Sequence, residues 1–246
     1  MDGLIDENIK VDMILCDLPY GTTSCVWDSV IPFNELWQRY RKILKPNKPI
    51  VLFCSQPFTS ALINSNTANF KEELIWLKNK PASGMQKNQR HMKIHENILI
   101  FSFDSKYTFN SQKWLVEEKE FITQRKTFKE SEFVGNNIYA STRRTRKPDT
   151  GERNPLSIIS CRVPFTPQKS KQYSDDIDLR LHPTQKPLLL CEYLVKTFSN
   201  EGDTVLDNCM GSGTTGVACK NLSRNFIGIE FNEEYFEIAK ARICAT

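Results

Sequence analysis

The chain has 246 residues, 39% of them hydrophobic and 25% charged, with a net charge of +4. That length supports one sizeable core with an appended lobe, and the balance excludes wholesale disorder or a fibrous repeat. No apolar run approaches the roughly 18 residues of a membrane helix, which predicts a soluble intracellular protein. The eight cysteines, Cys16, Cys25, Cys54, Cys161, Cys191, Cys209, Cys219 and Cys244, form no C-x-x-C pair and read as reduced thiols.

Taken in chain order, Val11 to Cys16 is a short apolar run that gives way to Asp17-Leu18-Pro19-Tyr20-Gly21, the pattern of a buried strand ending in a turn. Phe33, Leu36, Tyr40, Ile43 and Leu44 then recur at helical offsets, and Pro46 closes that stretch. Ile50 to Phe53 reads as a second buried strand, a helix is predicted around Thr59 to Ile63, and Glu73 to Leu77 and Asn97 to Phe101 read as two more strands. This alternation predicts a mostly parallel α/β sheet.

Between about Lys106 and Leu181 the periodicity is lost. Arg125 to Lys171 holds 11 Lys and Arg against 4 Asp and Glu, so this stretch carries +7 and the rest of the chain −3. Beyond it, Pro187 opens a helix with Leu190, Tyr193, Leu194 and Phe198 on one face. Thr204 to Leu206 forms a strand, Asp207 to Gly213 a glycine-bearing loop into another helix, and Phe226 to Ile229 a last strand ending at Glu230. Asn232 is placed to cap the final helix, with Glu233 and Glu234 in its first turn.

Three stretches carry chemistry. In Asp207-Asn208-Cys209-Met210-Gly211-Ser212-Gly213-Thr214-Thr215, two glycines let the backbone turn tightly and approach a ligand. Glu230, one strand further on, is placed to accept from a ribose diol. No Gly-Lys-Ser/Thr ending follows, which disfavours a phosphate-cradling loop. Asp17-Leu18-Pro19-Tyr20 stands at the end of the first strand, where open α/β sheets place ligands. There Asp17 and a main-chain carbonyl can accept from an amine while Tyr20 stacks on its ring. In His182-Pro183-Thr184-Gln185-Lys186-Pro187, Thr184 and Lys186 sit at a helix entrance, where donors and positive potential can hold a carboxylate such as that of a methionine moiety. Taken singly, each stretch also fits a plain turn or a helix cap.

In combination and in this order, they resemble the DNA amino-methyltransferases, the N6-adenine and N4-cytosine family, in the circularly permuted β arrangement: catalytic motif first, target recognition in the middle, cofactor motif last. Trp76 to Lys78 and His95 to Phe101 also match, so the resemblance covers nearly the whole chain. It implies a Rossmann-like fold of the S-adenosylmethionine-dependent methyltransferases, with residues 1–105 as the catalytic part, 106–181 as a target-recognition insertion and 182–246 as the cofactor-binding part. Asp17, Leu18, Pro19 and Tyr20 are then catalytic. Asp207, Met210, Gly211, Ser212, Gly213, Thr214, Glu230, Thr184, Lys186 and Asp17 bind S-adenosylmethionine. Arg143, Arg144, Arg146 and Lys147 contact double-stranded DNA, and no metal is required.

Two departures stand out. Leu18 replaces the more usual proline, keeping the main-chain carbonyl. The sixteen residues ahead of Asp17 lack the Gly-Asp pair found upstream in similar members, which predicts a chain that is truncated or starts late. Asp at the first motif position goes mostly with N6-adenine, so N6-adenine methylation of DNA is the expected activity. N4-cytosine methylation and a catalytically silent DNA-binding remnant are the alternatives. The resemblance places the protein in the cytoplasm of a bacterial or phage-infected cell, as a solitary, phage-borne or restriction-modification enzyme. Many members of the class dimerise, so a homodimer is among the expected states.

Overall fold

The computed structural model describes residues 1–22, 28–81, 88–115, 152–161 and 185–246. The chain divides into one unit of Met1–Asn110 with Ser157–Thr246 and a second of Ser111–Leu156. In the second unit the described residues form a short antiparallel ladder, β5 (Trp114–Leu115) with β6 (Glu152–Arg153).

The first unit opens on a short helix, α1 (Asp2–Asp6), for which the apolar pattern gave no signal. It then follows the predicted alternation: β1 (Met13–Asp17), α2 (Phe33–Ile43), β2 (Ile50–Cys54), α3 (Phe58–Ser65), β3 (Phe70–Leu77) and β4 (His95–Phe101). After β7 (Ile158–Ser160) come α4 (Leu188–Phe198), β8 (Thr204–Asp207), α5 (Thr214–Asn221), β9 (Asn225–Gly228) and α6 (Glu233–Ala245).

Among the described residues, seven strands make one sheet in the order β7-β3-β4-β2-β1-β8-β9. Strand β1 pairs in parallel with both β2 and β8, and β8 in parallel with β9. Only β4 runs against its neighbours, antiparallel to β2 and β3, so the sheet is mostly parallel as predicted. Strand β7 joins the edge parallel to β3, within the stretch where sequence periodicity is lost.

The buried strands are apolar on both sides because helices cover both faces. Ile14, Cys16, Ile50, Leu52, Leu99 and Phe101 point to one face and pack with Leu36, Trp37, Tyr40 and Ile43 of α2 and Phe58 and Leu62 of α3. Their neighbours Met13, Leu15, Val51, Phe53, Ile98 and Ile100 point to the other, against Leu190, Leu194 and Phe198 of α4 and Ala218 of α5. Each such aliphatic side chain contributes about 1.5–3 kcal/mol of burial. This two-sided burial locks the register of β1 between β2 and β8, and with it the positions of Asp17 and Asp207 at a common edge. Among the described residues, no helix is long and apolar enough to cross a membrane.

Candidate active site

Because β1, β2 and β8 run in parallel, their carboxyl ends open on the same edge of the sheet. The antiparallel β4 brings its beginning to that edge, where Cys54 pairs with Asn97 and Leu77 with His95. Asp17, Glu96 and Lys78 are thereby gathered from three strands, and Lys186 arrives from the segment leading into α4.

The Asp17 carboxylate is held at both oxygens. The Tyr20 hydroxyl donates to Oδ1 at 2.7 Å, and the Lys186 ammonium donates to Oδ2 in a short ion pair. Burial and the neighbouring Asp17 push the Tyr20 phenol well above its ordinary value, so it acts as a donor. Its ring lies 5.2 Å from that of Phe58, the first residue of α3, which fixes the plane it presents. Leu18 is almost fully buried. Gly21 turns with φ +67°, and Asp28 anchors that turn by accepting from Gly21 N and Thr22 N, each at 2.9 Å. Asp28 is outside the three motifs, and an acid shortly after a glycine turn is the sequence signal that marks it.

Lys186 is buried beside the Phe53 ring, with its ammonium 5.0 Å from the ring centroid. Burial opposes its charge, but Asp17 and Glu96 outweigh that and hold its pKa above the ordinary lysine value. Glu96 shows the mirror effect: burial works to raise its pKa, and Lys186, Lys78 and Lys93 together bring it below the ordinary value.

The second half of the site is the loop between β8 and α5. Gly211 and Gly213 take positive φ angles of 52° and 77°. A Cβ on Gly213 would lie 2.8 Å from Ala239 Cβ, so that position admits only glycine without displacing α6. Glu230, just past β9, accepts from Gly211 N at 2.8 Å and Asn232 N at 2.9 Å. A carboxylate has about four acceptor sites, leaving capacity for a diol.

Asp207 is buried and turned into the loop: Oδ1 accepts from Cys209 N at 3.1 Å and Oδ2 from the Thr215 hydroxyl at 2.7 Å. Burial raises its pKa to about 6. Met210 is buried against Gly228. Ser212 and Thr214 are buried too, and Arg242 of α6 donates to the Ser212 carbonyl at 2.6 Å, the Ser212 hydroxyl at 3.1 Å and the Thr214 hydroxyl at 3.3 Å. The Ser212 hydroxyl also donates to Gln185 Oε1 at 3.4 Å, joining the loop to the segment that carries Lys186. A bent, glycine-bearing loop at a parallel-strand edge, with a carboxylate one strand on, fits the nucleoside end of S-adenosylmethionine.

Of the predicted site residues, Asp17, Leu18, Pro19, Tyr20, Lys186, Asp207, Met210, Gly211, Ser212, Gly213, Thr214 and Glu230 lie on the edge just described. Thr184, Arg143, Arg144, Arg146 and Lys147 lie outside the described residues.

A family model for DNA methylases of the N6/N4 type matches residues 11–241. The Type II methyltransferase M1.MboII of Moraxella bovis is 30% identical over 246 residues, covering 93% of this chain and 87% of that protein. The Type II methyltransferase M.HpaI of Haemophilus parainfluenzae is 28% identical over 253 residues, covering 97% of this chain and 69% of that protein. Among solved structures, the M1.HpyAVI–SAM complex superposes with a TM-score of 0.61 at 30% identity, covering 98% of this chain and 93% of that one. The cytosine-N4-specific PvuII DNA methyltransferase also gives 0.61, at 13% identity and covering 97% and 82%, and so shares the fold. With the motif order, the sheet and the family match in agreement, the chain belongs to the N6/N4 DNA methylase family.

Proposed function

We propose that this protein transfers a methyl group from S-adenosylmethionine to the N6 amine of adenine in double-stranded DNA. The observation that carries this reading is the Asp17 carboxylate, fixed by Tyr20 and Lys186 on the edge where the Gly211–Gly213 loop also ends. The cofactor assignment draws on that loop and on the likeness to the M1.HpyAVI–SAM complex. Adenine is preferred to cytosine because the motif begins with Asp.

S-adenosylmethionine, when bound, supplies a methyl group already activated by its sulfonium. The protein's task is to bring a weak nucleophile into line with it. An exocyclic amine is weak because its lone pair is delocalised into the ring. Asp17 and the Leu18 carbonyl accept from its two N–H groups and favour a pyramidal nitrogen whose lone pair is free to attack. Tyr20 stacks on the base, a contact worth about 1–3 kcal/mol, which offsets much of the few kcal/mol spent in flipping it from the duplex. Rate then comes from alignment and fixed charge.

Glu230 receives the ribose hydroxyls, and the turns at Gly211 and Gly213 let the backbone approach the nucleoside. Residues 106–181, with Arg143, Arg144, Arg146 and Lys147, form the DNA-recognition region, where cations at phosphates give affinity and position. The test is to incubate the protein with S-adenosylmethionine and unmethylated DNA, digest to nucleosides and identify the product by mass spectrometry. N6-methyladenine that disappears in Asp17→Ala, with cofactor binding retained, is the expected result. N4-methylcytosine overturns the base assignment, and no product from the unaltered protein overturns the reading.

A further inference from the structure

Glu96 belongs to none of the roles described so far, yet it lies inside the site. It comes from the start of β4, leaves only 16% of its side chain exposed, and is held below the ordinary carboxylate pKa by the cations around it. Its Oε1 is held by the Lys78 ammonium in a short ion pair. Its Oε2 is buried and makes no hydrogen bond among the described residues, while Lys186 Nζ stands 3.7 Å away. Lys186 in turn grips Asp17 Oδ2. The result is a continuous row of alternating charge, Lys78–Glu96–Lys186–Asp17, ending on the Tyr20 hydroxyl.

A lysine buried this deeply is stable as an ammonium only while its carboxylates remain. Asp17 alone cannot hold it in one place, because an ammonium offers three donors with no fixed plane. Glu96 supplies the second point of attachment. Of the carboxylate's roughly four acceptor sites, Tyr20 and Lys186 occupy one on each oxygen, so the position of Lys186 decides which of the remaining sites face the substrate amine.

We propose that Glu96 is a positioning residue: by sharing the Lys186 ammonium with Asp17, it sets the direction in which the catalytic carboxylate accepts from the substrate amine. This rests on the methyltransfer reading for its kinetic consequence and on geometry alone for the Glu96–Lys186 coupling. It also separates two possible duties of Lys186, since a lysine engaged by Asp17 and Glu96 acts on the nucleophile's side of the reaction and not on the cofactor's carboxylate.

The groups facing Lys186 are Asp17 and Tyr20 from β1 and its turn, Glu96 from β4 and the Cys191 thiol of α4, with Lys78, Lys93 and Cys54 behind them. With Glu96 neutral, one of the two carboxylates that oppose burial is gone, so the Lys186 ammonium loses its proton at lower pH. The unaltered enzyme keeps a flat alkaline kcat profile up to the ordinary lysine value of about 10.4.

The experiment compares the unaltered protein with Glu96→Gln and Glu96→Asp. Steady-state kcat, with single-turnover methyl transfer to confirm that chemistry limits it, is measured from about pH 7 to 10, and cofactor affinity by calorimetry. In parallel, Lys186 is titrated by NMR of isotope-labelled lysines, assigned through Lys186→Met. The expected result for Glu96→Gln is a fall in kcat on the order of 10²-fold, an alkaline limb newly within range, and cofactor affinity changed less than about twofold. Glu96→Asp, which keeps the charge but shortens the reach, lowers kcat and keeps the alkaline profile flat. If Glu96→Gln does not fold, Glu96→Asp decides the matter: full kcat in that variant overturns the proposal. An unchanged Lys186 titration, or a loss that follows cofactor affinity, overturns it as well. A protein that methylates no DNA while its Lys186 titration responds to Glu96 sinks the proposed function and leaves the coupling standing.

Discussion

The Tyr40 hydroxyl, buried in the middle of α2, donates to Asn208 Oδ1 at 2.6 Å across 168 positions of sequence. A helix from early in the chain thus holds the loop between β8 and α5. Tyr40→Phe keeps the ring in the core and removes only the donor, leaving a half-buried acceptor on the loop. Losing one such bond costs about 1–3 kcal/mol. Cofactor affinity is expected to fall about tenfold, read by calorimetry, with the methylated product unchanged in identity.

Gly211 lies in the left-handed region at φ +52° and donates its amide to Glu230. A β-branched residue is strained there by about 1–2 kcal/mol or more. Gly211→Val is therefore expected to weaken S-adenosylmethionine binding by about tenfold or more. Unchanged affinity by calorimetry would remove the loop from the cofactor site.

Asp12 is buried, accepts from Lys45 Nζ at 2.7 Å and Thr204 N at 3.1 Å, and stands 3.2 Å from Lys48 Nζ. Burial pushes its pKa up, but Lys45, the Thr204 amide and Lys48 outweigh that and hold it below the ordinary 3.8. An acid with a depressed folded pKa stabilises above its unfolded value and loses that contribution as pH falls through the folded one. With Lys45 partly exposed and screened, Asp12→Ala is expected to cost about 2–3 kcal/mol at pH 7 in urea unfolding. The gap from the unaltered protein should close below about pH 4.

Asp207 behaves in the opposite sense, with a folded pKa raised to about 6 by burial. The folded state binds its proton more tightly, so the unaltered protein loses stability as pH rises from the ordinary carboxylate range through that value. Asp207→Asn has no such loss. The variant's stability relative to the unaltered protein is expected to grow by on the order of 3 kcal/mol between about pH 4 and 7. Urea unfolding at several pH values would read it, and a constant difference would contradict the burial argument.

Replacing Arg143, Arg144, Arg146 and Lys147 by Gln is expected to flatten the salt dependence of DNA affinity. Each phosphate contact contributes about 0.9 to the slope of log K against log salt, so four contacts predict a reduction of about 3.6. An unchanged slope would assign the four to solvated surface.

The buried strands were legible because β1 is apolar as far as Cys16, β2 throughout and β4 from Ile98 to Phe101, and α2 because Leu36, Tyr40 and Ile43 keep a helical spacing. Asn232 was legible as a cap, and its Oδ1 does accept from Tyr235 N. The place of β4 between β2 and β3 was not legible, since strand order depends on contacts that no local pattern encodes. For the same reason Lys78 and Glu96 stood out only as matches to a family pattern, with no duty attached. Their relation to Asp17 exists only once three strands and the approach to α4 share an edge. Strand β7 is three residues long and half exposed, too short for periodicity to register.

The parallel pairing of β1 with β8 also bears on how the molecule comes into being. About 190 residues separate the two strands, which at ribosomal rates of roughly 5–20 residues per second is about 10–40 s of synthesis. Throughout that interval β1 offers an unpaired flank that is apolar from Met13 to Cys16, the kind of edge that invites association with other chains. Long-range parallel pairing is also slow to form once the partner arrives. The edge that brings Asp17 and Asp207 together is therefore completed only late in synthesis, so translation speed bears on the yield of correctly folded protein alongside folded-state stability.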